Sequence, residues 1–337
     1  MKQRRVGSTN LRVSEIGFGC GGNAGLMVSG EHAEQRRVVE HALECGITYF
    51  DNAPDYGAGV AETNLGRVLR ELDAEPVINT KVEVRTENLG DIAGHIVRSV
   101  EDSLRRLKRD SVDIVQIHNG PVATKPVMEG EYYATLWAED YYRPGGVLEG
   151  VNAILSQGKA RYAGFVCRGN DSNEVHQLLD TGLFHMVNVP YTLLNPTASY
   201  LGPEKLDVRP DYGNVISVAE AAGCGIGVFS PLAGGLLTDA ILNGQQTHPL
   251  ARKKNIEALE ARGALNKARN FQAMAARENI ELVELAYRFI LSNTAVSTLL
   301  GGITAAEQLD AAATASKAGP LPQYLITEIA AIWRPDF

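Results

Sequence analysis

The chain has 337 residues, of which 45% are hydrophobic and 21% are charged, a balance typical of a globular protein with a large core. This composition excludes long-range disorder. The formal net charge is −8, from 32 basic and 40 acidic residues, so the chain has no general attraction for nucleic acid or anionic lipid. The basic start of the chain is followed by no apolar run of signal-peptide or membrane-spanning length. We therefore expect a cytoplasmic protein with neither a nucleic-acid nor a membrane partner.

Short apolar runs alternate with amphipathic stretches along most of the chain. The apolar runs predict strands that are covered on both faces, as in a parallel sheet. Val112, Ile114 and Ile117 illustrate the pattern in one of them. In chain order, the predicted strands are 15–20, 49–53, 76–81, 112–118, 161–167, 185–190, 225–230 and 296–300.

The stretches between these strands have helical periodicity. In one of them Ile96, Val100 and Leu104 recur every fourth residue and share a face. Glycines such as Gly46 and Gly223 stand where a left-handed cap would end a helix. The predicted helices are 33–45, 63–72, 91–108, 147–157, 173–181, 214–222, 281–291 and 305–317.

Strands that alternate with helices in this way predict a (β/α)8 TIM barrel, formed by residues 1–337 as a single domain. A doubly wound open sheet is the alternative, but its glycine-rich turn would follow the first strand, and here Gly17 and Gly19 lie inside that strand. Three long irregular segments remain, 119–146, 232–265 and 319–337. Loops of this kind lie at the C-terminal mouth of a barrel, and the aromatic residues of 119–146, among them Tyr132 and Tyr133, predict an ordered lid.

Ionisable residues stand at or just after the ends of three successive predicted strands: Asp51 with nearby Tyr56, then Lys81, then His118. Buried charges must be paired, so their coincidence at one end of a barrel predicts a site. A lysine ammonium is expected to lower the high pKa of the Tyr56 phenol, and Asp51 to orient Lys81. His118 can donate a hydrogen bond to a substrate oxygen. The set suits proton exchange with a carbonyl or alcohol oxygen, and a redox reaction would need a cofactor.

At this point the chain resembles the aldo-keto reductase superfamily along essentially its whole length. Residues 5–19 look like the N-terminal β-hairpin and first strand of that family. Residues 46–57 match its Gly-x-x-Tyr-Phe-Asp-x-Ala-x-x-Tyr-Gly segment, and residues 230–237 match its Ser-Pro-Leu-x-x-Gly-x-Leu cofactor loop. The resemblance implies a metal-free barrel that binds NAD(P)(H).

The resemblance also implies roles for individual residues. Tyr56 would be the general acid and base, Lys81 would tune it, Asp51 would support Lys81, and His118 would orient the carbonyl. Tyr191 would stack on nicotinamide, with Asn188 beside its carboxamide. The implied cofactor-binding set is Gly21, Gly22, Asp51, Cys167, Asn188, Tyr191, Ser230, Pro231, Leu232, Gly234, Leu236, Gly302, Thr304 and Gln308. No metal ligands are implied, and the sequence contains no His-x-His pair.

Two departures from the family pattern concern the cofactor. Val166 cannot make the hydroxyl contact that the family makes after its fifth strand, which leaves Cys167 or backbone groups as substitutes. The segment 301–312 has no Lys or Arg to pair with a 2′-phosphate, although residues 252–254 are basic and could fold over it. The cofactor is therefore expected to be NAD(P)(H), with a slight preference for NAD(H).

The predicted function is the interconversion of a carbonyl (an aldehyde, ketone or aldose) and an alcohol by hydride transfer, with a sugar or polyol as the favoured substrate. A reductase of small reactive aldehydes is one alternative. A regulatory subunit that binds the cofactor but has little turnover is another, and the complete set of four site residues argues against it. A metal-dependent barrel hydrolase would need several ligands at strand ends, and only His118 clearly ends a strand. The partner is expected to be a small carbonyl or sugar molecule, with a homo-oligomer left open.

Overall fold

The chain was described by a computed structural model, which covers residues 1–21, 25–127, 135–169, 171–200, 202, 206, 208–245 and 263–334. Within these ranges, no helix is long and apolar enough to cross a membrane. The strands are β1 Gln3–Arg5, β2 Arg12–Ser14, β3 Ile16–Gly19, β4 Tyr49–Asp51, β5 Val77–Val82, β6 Val112–Ile117, β7 Gly120–Val122, β8 Thr135–Trp137, β9 Ala160–Val166, β10 Phe184–Pro190, β11 Gly225–Phe229 and β12 Val296–Gly302.

Eight of these strands close into a parallel barrel in the order β3-β4-β5-β6-β9-β10-β11-β12 and back to β3. Each overlaps one of the strands predicted from the sequence, so the (β/α)8 fold is confirmed. The strands are almost completely buried, because side chains fill the barrel on one face and helices cover the other.

The N-terminal hairpin is present and lies beneath the barrel. Strands β1 and β2 pair antiparallel, with Gln3 opposite Ser14. Val6, Leu11 and Val13 of this hairpin pack with Ile114 and Met186 of the barrel strands in a separate apolar cluster. The hairpin therefore closes one end of the barrel, and the opposite end is left for the site.

The helices lie between the strands and cover the outside of the barrel. They are α1 Leu26–Ser29, α2 His32–Glu44, α3 Val60–Glu71, α4 Ile92–Leu107, α5 Ala138–Tyr142, α6 Val147–Ser156, α7 Ser172–Asp180, α8 Val215–Ala221, α9 Asp239–Leu242, α10 Ala264–Arg277, α11 Leu282–Leu291, α12 Ala306–Ala318 and α13 Gln323–Ile332. Two substantial helices, α10 and α13, were not predicted. The first begins at the end of the 232–265 segment and the second lies in the 319–337 segment, and both segments were expected to be irregular.

The described parts of the 119–146 insertion are ordered against the barrel. Strands β7 and β8 pair in parallel, with Gly120 opposite Thr135. Leu136 and Tyr141 are fully buried, and the Tyr141 hydroxyl donates to the backbone oxygen of Asn119 over 2.7 Å. Tyr132 and Tyr133 lie outside the described residues. Whether the insertion acts as a lid stays a prediction.

Candidate active site

The side chain of Lys81 connects the predicted catalytic residues at the carboxyl ends of the strands. Its Nζ donates to Asp51 Oδ1 over 2.5 Å, to the backbone oxygen of Asn52 over 2.7 Å and to Tyr56 Oη over 3.3 Å. These three contacts use all three donors of the ammonium group. Lys81 therefore has one orientation, with its charge directed at the tyrosine oxygen.

Asp51 is fixed from below by amide side chains inside the barrel. Its Oδ2 accepts from Asn79 Nδ2 over 2.7 Å and from Asn188 Nδ2 over 3.2 Å. Asn79 in turn donates to Gln116 Oε1 over 3.1 Å. Both oxygens of the Asp51 carboxylate are thus engaged, so this residue positions Lys81 rather than exchanging protons itself.

The pKa of Tyr56 differs from the expectation. Burial of the hydroxyl raises the pKa of Tyr56 to about 12, and the charges of Asp51 and Asp55 act in the same direction. Lys81 lowers the pKa, as expected, but its charge is offset by the carboxylate 2.5 Å away. Burial also opposes the charge on Lys81, yet the contacts with Asp51 and Tyr56 raise its pKa, so the ammonium stays protonated. At neutral pH the site therefore holds a protonated tyrosine beside a charged lysine.

His118 is buried and engages an arginine that the sequence analysis did not assign to the site. Its Nε2 lies 2.8 Å from Nη2 of Arg168. A guanidinium has only donors, so Nε2 must accept, and the ring proton is on Nδ1. Burial lowers the pKa of His118, which keeps the ring neutral. In this structure Nε2 therefore faces Arg168, whereas the sequence analysis expected His118 to donate to a substrate oxygen.

Two carboxylates face the other ring nitrogen of His118. Nδ1 lies 3.4 Å from Asp55 Oδ1 and 3.9 Å from Glu83 Oε2. Burial and the charge of Asp55 raise the pKa of Glu83 to about 7. Burial opposes the ionisation of Asp55 as well. The contact with His118 nevertheless keeps the pKa of Asp55 below its ordinary value.

The sequence analysis predicted no metal ligands, yet the structure groups three ligand-type side chains: ligand atoms of Asp55, Glu83 and His118 lie within 4.8 Å of one another. Three cations, Lys81, Arg85 and Arg168, act electrostatically on this cluster. Because positive charge already balances the carboxylates, we interpret the cluster as a hydrogen-bonded network around His118.

The loop after β11, which contains most of the predicted Ser-Pro-Leu-x-x-Gly-x-Leu cofactor loop, is a tight turn with several left-handed residues. Ser230 and Ala233 have left-handed φ values of 52° and 50°, although neither is glycine. Gly234 and Gly235 continue with φ values of 69° and 92°. The turn is closed by its own backbone, because the N–H groups of Ala233 and Gly235 donate to the backbone oxygens of Ser230 and Leu232 over 2.9 and 3.0 Å. Pro231 and Leu236 are buried and Leu232 is half-buried, so the loop is anchored to the barrel.

The loop after β12 leads into the start of α12. The N-cap residue Ala305 makes no side-chain capping bond, so the first N–H groups of the helix keep their capacity for an anion. Gln308 Oε1 accepts from the backbone N–H and the hydroxyl of Thr304 over 2.7 and 3.1 Å. Gly302 is exposed at the end of the strand. Among the described residues of these two loops, the start of α12 is thus the place that offers N–H groups to a phosphate of the cofactor.

The alternation of side chains along strands explains where three other cofactor candidates lie. Asn188 points into the barrel, and its Oδ1 has no hydrogen-bond partner among the described residues. Tyr191, three residues on, points outward. It is buried with its ring 5.0 Å from that of Phe289, and its stacking on nicotinamide stays a prediction. Cys167 also points outward. Its backbone N–H donates to the backbone oxygen of Asn188 over 2.7 Å.

The two glycines predicted to bind the cofactor, Gly21 and Gly22, are described only in part. A Cβ on Gly21 would lie 3.7 Å from Tyr56 Cζ, so this glycine borders the tyrosine ring. Gly22 lies outside the described residues, and so do the basic residues 252–254.

The same alternation identifies site residues that the sequence analysis missed. Phe229 ends β11 on the inward face and lies next to Arg168, whose Cζ is 5.7 Å from the ring centre. Glu83 is two residues after Lys81 and therefore faces the same way. Arg168 stands two residues after the inward Val166, which pairs with Asn188. Counting residues from a known inward position would have found all three.

A closed parallel barrel with a buried Asp51-Lys81-Tyr56 contact at the carboxyl ends of its strands defines a TIM-barrel protein. The model of the aldo/keto reductase family matches residues 15–334. The chain therefore belongs to the aldo/keto reductase family, whose members are NAD(P)-dependent oxidoreductases that act on small carbonyl compounds.

Individual relatives span nearly the whole chain at low identity. An L-glyceraldehyde 3-phosphate reductase of Escherichia coli O157:H7 is 28% identical over 329 residues, which cover 92% of this chain and 86% of that protein. A protein of Oryza sativa subsp. japonica named as a probable voltage-gated potassium channel subunit beta is 25% identical over 320 residues, covering 92% and 89%. The holo form of an aldo-keto reductase from Bacillus halodurans superposes with a TM-score of 0.71 at 23% identity, covering 99% of this chain and 97% of that chain.

Proposed function

We propose that this protein reduces an aldehyde or aldose to the alcohol, with Tyr56 as the proton donor and NAD(P)H as the hydride donor. The observation that carries the proposal is the contact of Lys81 Nζ with Tyr56 Oη at 3.3 Å, while Asp51 holds the same ammonium at 2.5 Å. That arrangement has no evident structural purpose, because a buried charge is costly and an apolar core would serve stability as well.

The side chains divide the proton chemistry among them. When bound, the nicotinamide cofactor supplies the hydride that reduces the carbonyl carbon. Tyr56 donates its phenolic proton to the carbonyl oxygen, and the adjacent Lys81 ammonium stabilises the phenolate that this transfer leaves. Because the pKa of Tyr56 is about 12, the donor form is fully populated at neutral pH.

We propose NAD(H) as the preferred cofactor. The chain has no Lys or Arg from Gly301 to Ser316. Glu307 instead stands exposed in the first turn of α12. A 2′-phosphate at this end of the site would meet a carboxylate and no basic partner from this segment, which opposes its binding.

Sugar-like substrates are the favoured class. Trp137 lies half-buried and Tyr142 exposed in the insertion that borders the mouth, and exposed aromatic rings can stack on a sugar face. The enzyme from Escherichia coli O157:H7 is named for a three-carbon sugar phosphate, which supports a polar aldehyde substrate. Small reactive aldehydes are the second class to test.

The rice relative motivates a second candidate, a subunit that binds the cofactor without appreciable turnover. Titration of the protein with NADH and with NADPH, followed by nucleotide fluorescence, separates the candidates when it is paired with turnover of aldehydes, ketones and aldoses. Binding with turnover supports the proposed reductase, and tighter binding of NADH supports the cofactor preference. Binding without turnover on the whole panel supports the subunit. Failure of both nucleotides to bind would refute both.

A further inference from the structure

A histidine and a cysteine of one helix meet an aspartate of another on the outside of the barrel. His41 lies in the last turn of α2, and Cys45 directly follows that helix, so the two residues are four positions apart and share a face. Asp310 lies in the second turn of α12, which packs against α2. Ligand-type atoms of the three side chains all lie within 4.8 Å of one another. This cluster shares no residue with the candidate active site.

The imidazole of His41 is the centre of the cluster. Its Nε2 lies 2.8 Å from Asp310 Oδ1 and 3.7 Å from Cys45 Sγ. Bond lengths of about 2.0–2.3 Å in a tetrahedral zinc site separate a nitrogen ligand from an oxygen ligand by about 3.3 Å and from a sulfur ligand by about 3.6 Å. The sulfur is therefore already in place, and the Asp310 oxygen would move by about half an ångström. An ion pair of His41 with Asp310 explains the shorter contact but does not require the thiol.

The other ring nitrogen of His41 has the kind of partner that orients a metal-binding histidine. Nδ1 lies 3.4 Å from Glu44 Oε2. A carboxylate at this position fixes the ring and favours the tautomer with its proton on Nδ1, which leaves the lone pair of Nε2 for a metal ion. Glu44 therefore positions the ring, and the ligand atoms are Nε2 of His41, Sγ of Cys45 and Oδ1 of Asp310.

The charges around the cluster favour a cation. The hydrogen bond with Asp310 and, to a smaller extent, that with Glu44 raise the pKa of His41, although burial opposes the shift. Burial and the charges of the same two carboxylates raise the pKa of Cys45, against a smaller opposite effect of the Met1 amino group. The carboxylates thus give the cluster a negative potential. A divalent cation attracted by that potential would displace the thiol proton when it binds.

We propose that His41, Cys45 and Asp310 form a binding site for Zn²⁺ that connects α2 with α12. A thiolate and an imidazole select zinc over Mg²⁺ and Ca²⁺, which prefer sets of oxygen ligands. Zinc takes four ligands, and the side chain of Asp310 is 66% exposed, so water has access as the fourth. Because the site lies in the outer layer of helices, a bound ion would hold two helices together and take no part in the proposed reaction.

Titration of the full chain with Co²⁺ and Zn²⁺ tests the site. Co²⁺ accepts the same tetrahedral ligands as zinc and gives a thiolate-to-metal charge-transfer band in the near ultraviolet. We expect about one equivalent of Co²⁺ to produce this band in the wild type. Zn²⁺ should then remove the band, and an excess of Mg²⁺ should leave it unchanged.

Three variants locate the bound metal. Cys45→Ser should lack the charge-transfer band. Loss of a carboxylate that only orients a metal-binding histidine costs about 10- to 100-fold in affinity, so Cys45→Ser and His41→Gln should each weaken zinc binding at least about 100-fold in competition with a chromophoric chelator. His32→Gln is the matched control, because it removes a histidine whose Nε2 lies 3.1 Å from Glu71 Oε2 at the other end of α2. This control should bind zinc as the wild type does.

Modification of thiols provides a measurement that needs no variant. All four cysteines lie in the described parts of the chain, and among them Cys45 alone is not buried. A water-soluble disulfide reagent should therefore react first at Cys45, which peptide mass analysis would identify. Saturating Zn²⁺ should slow that reaction at least about tenfold, because the metal occupies the thiolate.

Several results would overturn the site. A wild type without the charge-transfer band, or a band that persists in Cys45→Ser, would show that Cys45 does not bind the metal. Zinc affinity that is the same in the wild type and both ligand variants, or modification of Cys45 that zinc does not slow, would show an ordinary ion pair beside a thiol. The proposed reductase would stand after any of these results, because its site contains none of the three ligands.

Discussion

Replacement of Asp51 by asparagine tests how much the buried Asp51–Lys81 ion pair beside Tyr56 contributes to the free energy of unfolding. Asp51 and Lys81 have side chains only 5% and 3% exposed, and their charged atoms lie 2.5 Å apart. Asparagine keeps the shape of the side chain but removes its charge. The buried ammonium of Lys81 would then lack a compensating carboxylate.

The surrounding donors make this change more costly than a simple loss of charge. Oδ2 of Asp51 accepts from Asn79 and Asn188. An amide at this position cannot accept from Lys81 and from both asparagines, since one of its two oxygens is replaced by an NH2 donor. Loss of one partner of a buried ion pair costs about 3–5 kcal/mol, and a mismatched amide adds about 1–3 kcal/mol if the network does not rearrange. We expect Asp51→Asn to lower the free energy of unfolding by at least about 3 kcal/mol.

Equilibrium unfolding in urea, followed by circular dichroism, measures this difference. The matched control is Glu101→Gln, because Lys159 Nζ and Glu101 Oε1 are also 2.5 Å apart but their side chains are 20% and 41% exposed. That variant should change stability by less than about 1 kcal/mol. A loss below about 1 kcal/mol in Asp51→Asn, or equal losses in the two variants, would refute the view that burial makes the pair essential.

Two further predictions concern stability. Because burial raises the pKa of Glu83 from 4.5 to about 7, its protonation contributes stability that is full below pH 4.5 and is lost as the pH rises through 7. Glu83→Gln should therefore gain stability over the wild type between pH 5 and pH 8, by up to about 3 kcal/mol in thermal or urea unfolding, and an unchanging difference would contradict the raised pKa. Gly66→Ala should lose about 1–3 kcal/mol, because the added Cβ would lie 2.5 Å from the backbone oxygen of Leu107 and would separate two packed helices. Gly90→Ala, where no atom lies within 4 Å, is the control, and equal stabilities of the two variants would contradict the close contact.

The barrel and the position of the site could be predicted because both depend on a short-range pattern. Each strand is an apolar run of the length that a barrel requires, and the helices between them show one apolar face. Asp51, Lys81 and His118 stand out because they interrupt or end such runs. The structure brings them together since the carboxyl ends of neighbouring parallel strands meet.

Other features depend on contacts that no local pattern reveals. The pKa of Tyr56 is decided by burial and by the neutralising contact of Lys81 with Asp51, which the spacing of residues does not give. The outward position of Tyr191 follows from its parity along β10, and the resemblance alone did not indicate it. The pairing of Arg168 with His118 joins residues 50 positions apart.

The most direct test of the account is the turnover of Tyr56→Phe with an aldehyde that the wild type reduces. The substitution removes only the hydroxyl that Lys81 contacts at 3.3 Å. We predict that kcat falls about 10²- to 10⁴-fold, the contribution of a positioned general acid, while nucleotide binding stays close to the wild-type value. A kcat within about tenfold of the wild type would contradict the assignment of Tyr56 as the proton donor.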